Sequence, residues 1–381
     1  MALRRGHLDV LIYIAFIAAI IVAPLLLDDF WVNRLSKYLV YGMLGVAISL
    51  SWGYAGILNL GQGLFFGAGA YMLAMSLKLA SPTSLQSSNM PVPDFMLWNS
   101  EPGAATRLCC INRVSFLWIP FQHEWFGLLM GVALPTLVAG LLGTVLFRRR
   151  MAGAFVSIIT LAFVLMVRLL IIEEQPLTNG FNGLTDLALL SIGDFQFDPY
   201  DRATYYLVAA SLSLSLVGAR LLVGTRAGLI LQGIRDNQSR ARYLGFDVPA
   251  YQIFFFAVSA AIAGVAGMLY VVVAQFATPT FLDIGFSITM VIWAAVGGRS
   301  SLLGACIGAI VINMIEATAS ETAALLDVWK VIIGLVFVLA VLFLPRGIAG
   351  LGSGIGDWLF AAVSRRRNRG TLPAGAAQPA E

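Results

Sequence analysis

Charge is scarce in this chain. Asp, Glu, Lys and Arg make up 12% of its 381 residues, against 59% hydrophobic ones. A soluble domain carries about 25% charged residues, and one so poor in charge would leave large apolar patches in water. Histidine occurs only as His7 and His123, both outside the apolar segments, so a histidine-based catalytic constellation is hard to build. Lysine occurs only as Lys37, Lys78 and Lys330, and no G-x-x-x-x-G-K-[ST] run is present. That absence excludes ATP binding in the P-loop manner. The cysteines are the adjacent Cys109 and Cys110, in a polar stretch, and Cys306 in an apolar one. No Cys-x-x-Cys or Cys/His spacing suggests a metal, and the three read as free thiols.

What the chain does have is long hydrophobic runs. A helix needs about 20 mostly apolar residues to cross a bilayer core. Clear candidates are 10–27, 125–147, 152–172, 203–223, 250–274 and 328–345, and less regular ones are 35–52, 63–80, 284–298 and 301–317. The expected fold is therefore an all-α integral membrane protein of about ten spans, some of them broken and Gly-rich. Helices are the spanning element because lipid leaves no partner for an unpaired backbone group. Unbroken apolar runs also exclude the alternating pattern of an outer-membrane barrel. Arg4 and Arg5 before an apolar run resemble a signal peptide. The run Val10–Leu27 is long for one, however, and no small-x-small cleavage site precedes Asp28-Asp29, so it is expected to be a retained first span.

Arginine sets the expected orientation. Arg4-Arg5, Arg148-Arg149-Arg150, the stretch with Arg226, Arg235, Arg240 and Arg242, and Arg365-Arg366-Arg367 all fall on one side, which the positive-inside rule makes the cytoplasm. Both termini are then cytoplasmic. The outer loops 81–124 and 173–202, with 28–34 and 318–327, hold acids such as Asp28, Asp29, Glu173, Glu174, Asp194 and Asp198, while Arg34, Lys37 and Lys330 depart from the rule. The transmembrane body is expected over 1–350. The tail 351–381, rich in Gly, Ala, Pro and Arg, is expected to be a disordered cytoplasmic end.

Two regions depart from plain apolar helix. The stretch Ser51–Ala70 carries Gly53, Gly56, Gly61, Gly63, Gly67 and Gly69 with Asn59 and Gln62 among them. Close packing of the GxxxG kind, through Gly63 and Gly67, accounts for glycines but not for two amides beside an apolar Leu-Phe-Phe run. Broken Gly-rich helices present backbone groups to a solute in many transporters, so this region, with Asn59 and Gln62, is a candidate for a solute path. In Trp293–Gly304 a short helix is expected to turn at Gly297-Gly298 and re-enter, as a structural hairpin with Arg299 at the turn. Arg168 is expected to pair with Glu173 or Glu174 or to reach outward, and Glu316 sits near the outer end of its helix. No carboxylate lies mid-span, which weakens a proton- or sodium-coupled carrier.

The polar stretch 224–250 between two spans reads as a short amphipathic helix with Leu229, Ile230 and Ile234 on its apolar face. An Arg-Asp-Asn-Gln-Ser-Arg-Ala-Arg segment follows, and then Asp247 and Pro249 open the next span. Such a helix can take force from a cytoplasmic partner, or simply lie on anionic lipid heads.

Gly224–Leu244 resembles the cytoplasmic coupling segment of ABC importer permeases. The run GYAGILNLGQGLFFGAGAYMLAM is similar to the Gly-rich signature of the branched-chain amino acid (LivM-type) permease family. ITLAFVLMVRLL, NGFNGLTD, IRDNQSRARYLGFDV, VIWAAVGGRSSLLGA and VLFLPRGI follow in that family's order, across roughly residues 35–350. Within the family, NLGQGLFFG in place of a His-containing version and the long insertion 81–124 resemble the urea-type branch. The resemblance implies a bacterial inner-membrane complex of two different permeases, two ABC ATPase subunits and a periplasmic solute-binding protein. It implies no cofactor of the chain's own, ATP being bound by the partner subunits, and no nucleic acid. By the same resemblance Arg235, Asp236, Asn237, Arg240 and Gly245 lie in the ATPase-contacting segment, and Asn59, Gly61, Gln62 and Gly63 lie near the substrate path. Urea is neutral and suits amides and carbonyls better than fixed charges, and the Gly-rich region offers no counter-charge for an amino acid's termini. The alternatives are a branched-chain amino acid or short-chain amide ABC permease and, in another class, an ATP-independent urea channel or secondary carrier. A membrane enzyme fits least, since no nucleophile or His/carboxylate cluster lies at a membrane face.

Overall fold

The computed structural model of the chain describes residues 2–82, 84–87, 90–98, 116–151, 153–193, 195–321 and a few positions between 331 and 350. The candidate span 328–345, the tail 351–381 and the pair Cys109-Cys110 lie largely or wholly outside them. The helices are α1 (Ala2–Leu26), α2 (Asp29–Ile48), α3 (Gln62–Ala80), α4 (Asp94–Trp98), α5 (Glu124–Arg148), α6 (Ala154–Glu173), α7 (Gln175–Thr178), α8 (Arg202–Gly224), α9 (Arg226–Asp236), α10 (Gln238–Tyr243), α11 (Val248–Ala274), α12 (Ile284–Gly297) and α13 (Leu302–Glu321). Among the described residues six of these, α3, α5, α6, α8, α11 and α13, are long and apolar enough to cross a membrane, and Val10–Leu26 and α12 are shorter apolar helices. Helix α2 has the length, but Asp29, Arg34 and Lys37 dilute its apolar character.

The fold departs from purely α in the connections that follow α3 and α7. Hairpin β1–β2 pairs Leu85–Ser87 with Met90–Val92, and β3–β4 pairs Leu190–Ile192 with Phe195–Phe197, both antiparallel. Water can satisfy strand edges there, which lipid cannot.

Burial separates inner helices from outer ones. The apolar stretches of α3 and α11 are 78% and 72% buried within the chain, against 22% for α5 and α6. Helix α11 packs on α3, α5 and α2, while α13 packs on α2 and α12. Glycine permits the closest crossing: a Cβ on Gly267 of α11 would stand 1.9 Å from the Phe66 carbonyl oxygen of α3. Lipid tails supply no hydrophobic drive between helices, so such close packing carries the association. An aromatic group of Tyr41, Phe66, Tyr270, Phe281 and Phe286, edge-on or tilted at 5.2–6.3 Å, seats the Pro279–Leu282 turn and α12 against this core.

The expected hairpin is present. Helix α12 ends at Gly297, and α13 returns from Leu302. A Cβ on Gly297 would lie 2.1 Å from the Gly304 carbonyl oxygen, so the two arms touch backbone to backbone.

Arg168 does not pair with Glu173 or Glu174. Its Nη1 lies 3.7 Å from Asp283 Oδ1, because α6 runs beside the turn that precedes α12. Arg34, one of the cations on the acid-rich side, is paired with Glu321. Lys78, nearly buried, donates to the Thr185 carbonyl at 2.9 Å and meets Asp94 Oδ1 at 2.9 Å. Glu124 accepts from the Ser191 N–H and hydroxyl, both at 3.0 Å. These contacts gather at the hairpin-bearing end. Arg148, Arg150 and Arg242 instead line one open cleft of about 610 Å³ with Phe246 and Asp247, so two of the arginine clusters do share a side.

A helix break stitched to an exposed loop

Helix α2 does not run into α3. After Ile48 the chain widens into a π-turn, Ser49–Tyr54, in which the Ala55 N–H reaches back to the Leu50 carbonyl (3.2 Å) and the Ile57 N–H to that of Ser51 (2.8 Å). π-turns are rare and concentrate at functional sites. Gly53 sits where no side chain fits, since a Cβ there would lie 1.7 Å from the Arg299 carbonyl oxygen, and Gly56 takes φ +71°. Helix then resumes at Gln62.

The sequence-predicted path residues are brought together here, but their polar atoms are spent on one another. Asn59 Oδ1 accepts the Gly61 N–H at 2.8 Å, and Asn59 Nδ2 donates to Gln62 Oε1 at 2.7 Å. Gln62 Nε2 donates to the Ser259 carbonyl (3.2 Å) and hydroxyl (3.1 Å), and the Ser259 hydroxyl donates to the Ala47 carbonyl at 2.7 Å. Ser157 of α6 donates to the Leu58 carbonyl at 2.7 Å. Asn59 and Gln62 are 2% and 1% exposed. Gly61 abuts Thr160, and Gly63 abuts the Phe281 carbonyl and Ser287. Gln62 thus ties the break to α11, whose Ser259 reaches on to α2, and Ser157 ties it to α6. Sequence reasoning missed Ser259; its trace was a lone serine in the apolar run of α11.

The loop 224–250 folds as α9 and α10. The Thr225 hydroxyl accepts from Gly228 N–H, the Asn237 side chain from Arg240 N–H and the Asp247 side chain from Ala250 N–H, so each helix start satisfies donors its own turn leaves open. The buried residues of α9 are Gly228, Leu231 and Ile234. Leu229, expected on the apolar face, is 62% exposed: one face can bury only part of an apolar set that spreads around so short a helix. Asn237 is thus a capping residue, and Gly245 is one too. Helix α10 ends with Gly245 at φ +87°, its N–H bonded to Arg242 O and the Phe246 N–H to Ala241 O, the Schellman pattern that calls for glycine.

Arg235 does not simply face outward. Its Nη1 donates to the Gly53 carbonyl at 2.7 Å, and Nε and Nη2 both lie 3.1 Å from Asp236 Oδ1. Loop and break therefore meet directly. Arg240, Tyr243 and Leu244 project away from the bundle, Tyr243 at 92% and Leu244 at 70% exposure. Among the described residues no group of three or more His, Cys, Asp or Glu is placed to hold a metal ion. An apolar cavity of about 410 Å³ opens elsewhere, between α3, α6 and the connecting segments around Trp118 and Leu177, lined by Tyr71, Met75, Trp118, Val167, Ile171 and Leu177 among others.

Comparison with known proteins agrees with this architecture. The family model described as branched-chain amino acid transport system / permease component matches residues 30–341. The high-affinity branched-chain amino acid transport system permease protein LivM of Escherichia coli is 24% identical over 363 residues, covering 89% of this chain and 74% of its own length. LivM of Salmonella typhimurium is 23% identical with the same coverage. The probable branched-chain amino acid transport permease protein LivH of Methanocaldococcus jannaschii is 34% identical over 156 residues, 38% of this chain and 46% of its own. No solved structure matches. With its break, its exposed loop and a family match over most of its length, the chain belongs to the branched-chain amino acid transport system permease family.

Proposed function

We propose that the chain is the membrane-spanning permease subunit of an ATP-driven importer in a bacterial inner membrane, with urea as its solute. The observation that carries the importer reading is the exposed α9–α10 segment, where Arg240, Tyr243 and Leu244 stand clear of the bundle. Aromatic and arginine side chains on an otherwise polar segment suit a protein partner. The chain has no P-loop, so that partner is a separate ATPase subunit. Two ATPases, a second homologous permease and a periplasmic solute-binding protein complete the complex, with the arginine-rich side and both termini cytoplasmic.

In this reading the break lies along the translocation path and shapes it by backbone, while Asn59, Gln62 and Gly61 hold it in form. Residues 49–63 contain no charged side chain, which suits a neutral solute with one acceptor oxygen and two NH2 groups. A branched-chain amino acid is the second reading. Its relatives are named for that solute, and the apolar cavity near Trp118 and Ile171 suits an apolar side chain.

Energised uptake of labelled urea and of labelled leucine, in cells lacking the chain and again after its restoration, decides between them. Loss and rescue of urea uptake alone is the expected result. Rescue of leucine uptake alone would keep the importer and remove urea.

A further inference from the structure

The exposed face of the α9–α10 segment suits a partner, but its inner face already has one. The π-turn is held from two sides. From the α12–α13 turn, Arg299 offers its carbonyl to the Ser49 hydroxyl at 2.9 Å, and its guanidinium lies 5.5 Å from the Trp52 ring centroid. From α9, Arg235 binds the Gly53 carbonyl at 2.7 Å. Carbonyls at the end of a helix run out of backbone donors, and a charged donor makes a stronger bond than a neutral one. Asp236 engages two of the guanidinium nitrogens on one side, leaving Nη1 aimed at Gly53. Gly56, at φ +71°, adds contact: a Cβ there would stand 2.7 Å from Arg235 Cγ. From Gly53 the backbone runs within ten residues to the Asn59–Gln62–Ser259 lock on α11.

We infer that Arg235 is a positioning residue that fastens the coupling helix to the helix break, so that displacement of α9 by a partner is carried into the break and through Gln62 to α11. The inference rests on the importer reading above and adds to it a specific contact. It also divides the coupling residues by face, Arg240 outward and Arg235 inward.

A covalent substitute for the contact provides the test. A Cβ at position 56 would lie 3.4 Å from the Arg235 Cβ, close to the roughly 3.8 Å between disulfide-linked Cβ atoms. Arg235→Cys, Gly56→Cys and the double variant are made in the assembled complex, in a background without Cys109, Cys110 and Cys306. Solute uptake per ATP hydrolysed and co-purification of the ATPases are measured, using whichever of urea or leucine the parent complex transports. The expected result is that Arg235→Cys keeps its ATPases but loses about tenfold in uptake per ATP, the scale of one lost charged hydrogen bond. Oxidation of the double variant then restores most of the loss, and reduction removes it again. Arg235→Lys falls between, keeping a charged donor for the Gly53 carbonyl but lacking the planar fork that Asp236 engages.

Unchanged uptake per ATP in Arg235→Cys would overturn the inference. So would loss of the ATPases from the complex, which would make Arg235 a docking residue, or a fully crosslinked double variant that stays uncoupled. A parent complex without ATP-driven uptake of either solute would instead be a failure of the reading under Proposed function, so the two failures are distinguishable.

Discussion

The break at 49–63 and the loop at 224–250 are both polar interruptions in an apolar chain, yet they handle polarity in opposite ways. In the break, Asn59 and Gln62 are buried and bonded to each other, to Gly61 N–H and to Ser259. In the loop, Asn237 and Gly245 satisfy backbone groups at helix ends, while Arg240, Tyr243 and Leu244 remain outside. The medium explains the contrast: inside a bilayer an unpaired polar group has no water to fall back on, whereas a loop at the surface can leave groups open for a partner. One region spends its chemistry on its own shape and the other keeps it available.

The comparison breaks most visibly if the lock is removed. Gln62→Leu leaves Asn59 Nδ2 without its acceptor and takes a donor from Ser259. A buried group left unpaired costs about 1–3 kcal/mol, so a loss of about 3 kcal/mol is expected for the pair, read as a lowered unfolding temperature in detergent with a matching fall in transport per inserted molecule. If stability holds while transport alone falls, the amides serve the solute rather than the fold, and the contrast with the loop disappears.

The sequence made the break itself legible, because close helix packing accounts for the glycines but not for two amides inside an apolar run. It likewise marked the Gly297-Gly298 turn and the start of α11 at Asp247 and Pro249, both set by local chemistry. It could not say where the amides point. The partner that decides this, Ser259, is 197 residues from Gln62, and nothing local distinguishes an amide facing a solute from one facing a neighbouring helix. The pairing of Arg168 with Glu173 or Glu174 failed for the same reason: the two acids stand five and six residues on, but the helix carries the guanidinium toward Asp283. Leu229 failed differently. The apolar period of α9 was visible, but which part of it the bundle covers depends on how α9 meets α8, α11 and the π-turn.

A smaller effect is expected on the loop side. Changing Asp236 and Arg240 together to Ala removes one exposed charge of each sign, so the unfolding temperature should stay where it is, as for most surface substitutions. Uptake per ATP should nevertheless fall, since Asp236 orients Arg235 and Arg240 lies on the outer face. Vesicles holding all subunits provide the measurement, and unchanged uptake per ATP would remove both residues from the coupling role.

The smallest effect separates a glycine needed for backbone shape from one needed for contact. Gly245 at φ +87° has nothing within 4 Å of where a Cβ would go, so substitution there meets no steric clash and costs only the left-handed conformation, about 1 kcal/mol for Ala. Asn tolerates that conformation better than Ala. Gly245→Ala should therefore lower stability slightly and loosen the end of α10, with Gly245→Asn recovering part of the loss. If both variants keep wild-type stability but release the ATPases from the complex, the open space above Gly245 is where the partner sits, and the glycine serves contact as well as shape. If transport follows stability through Ala and Asn alike, Gly245 acts only by ending α10, and docking rests on side chains such as Tyr243 and Leu244.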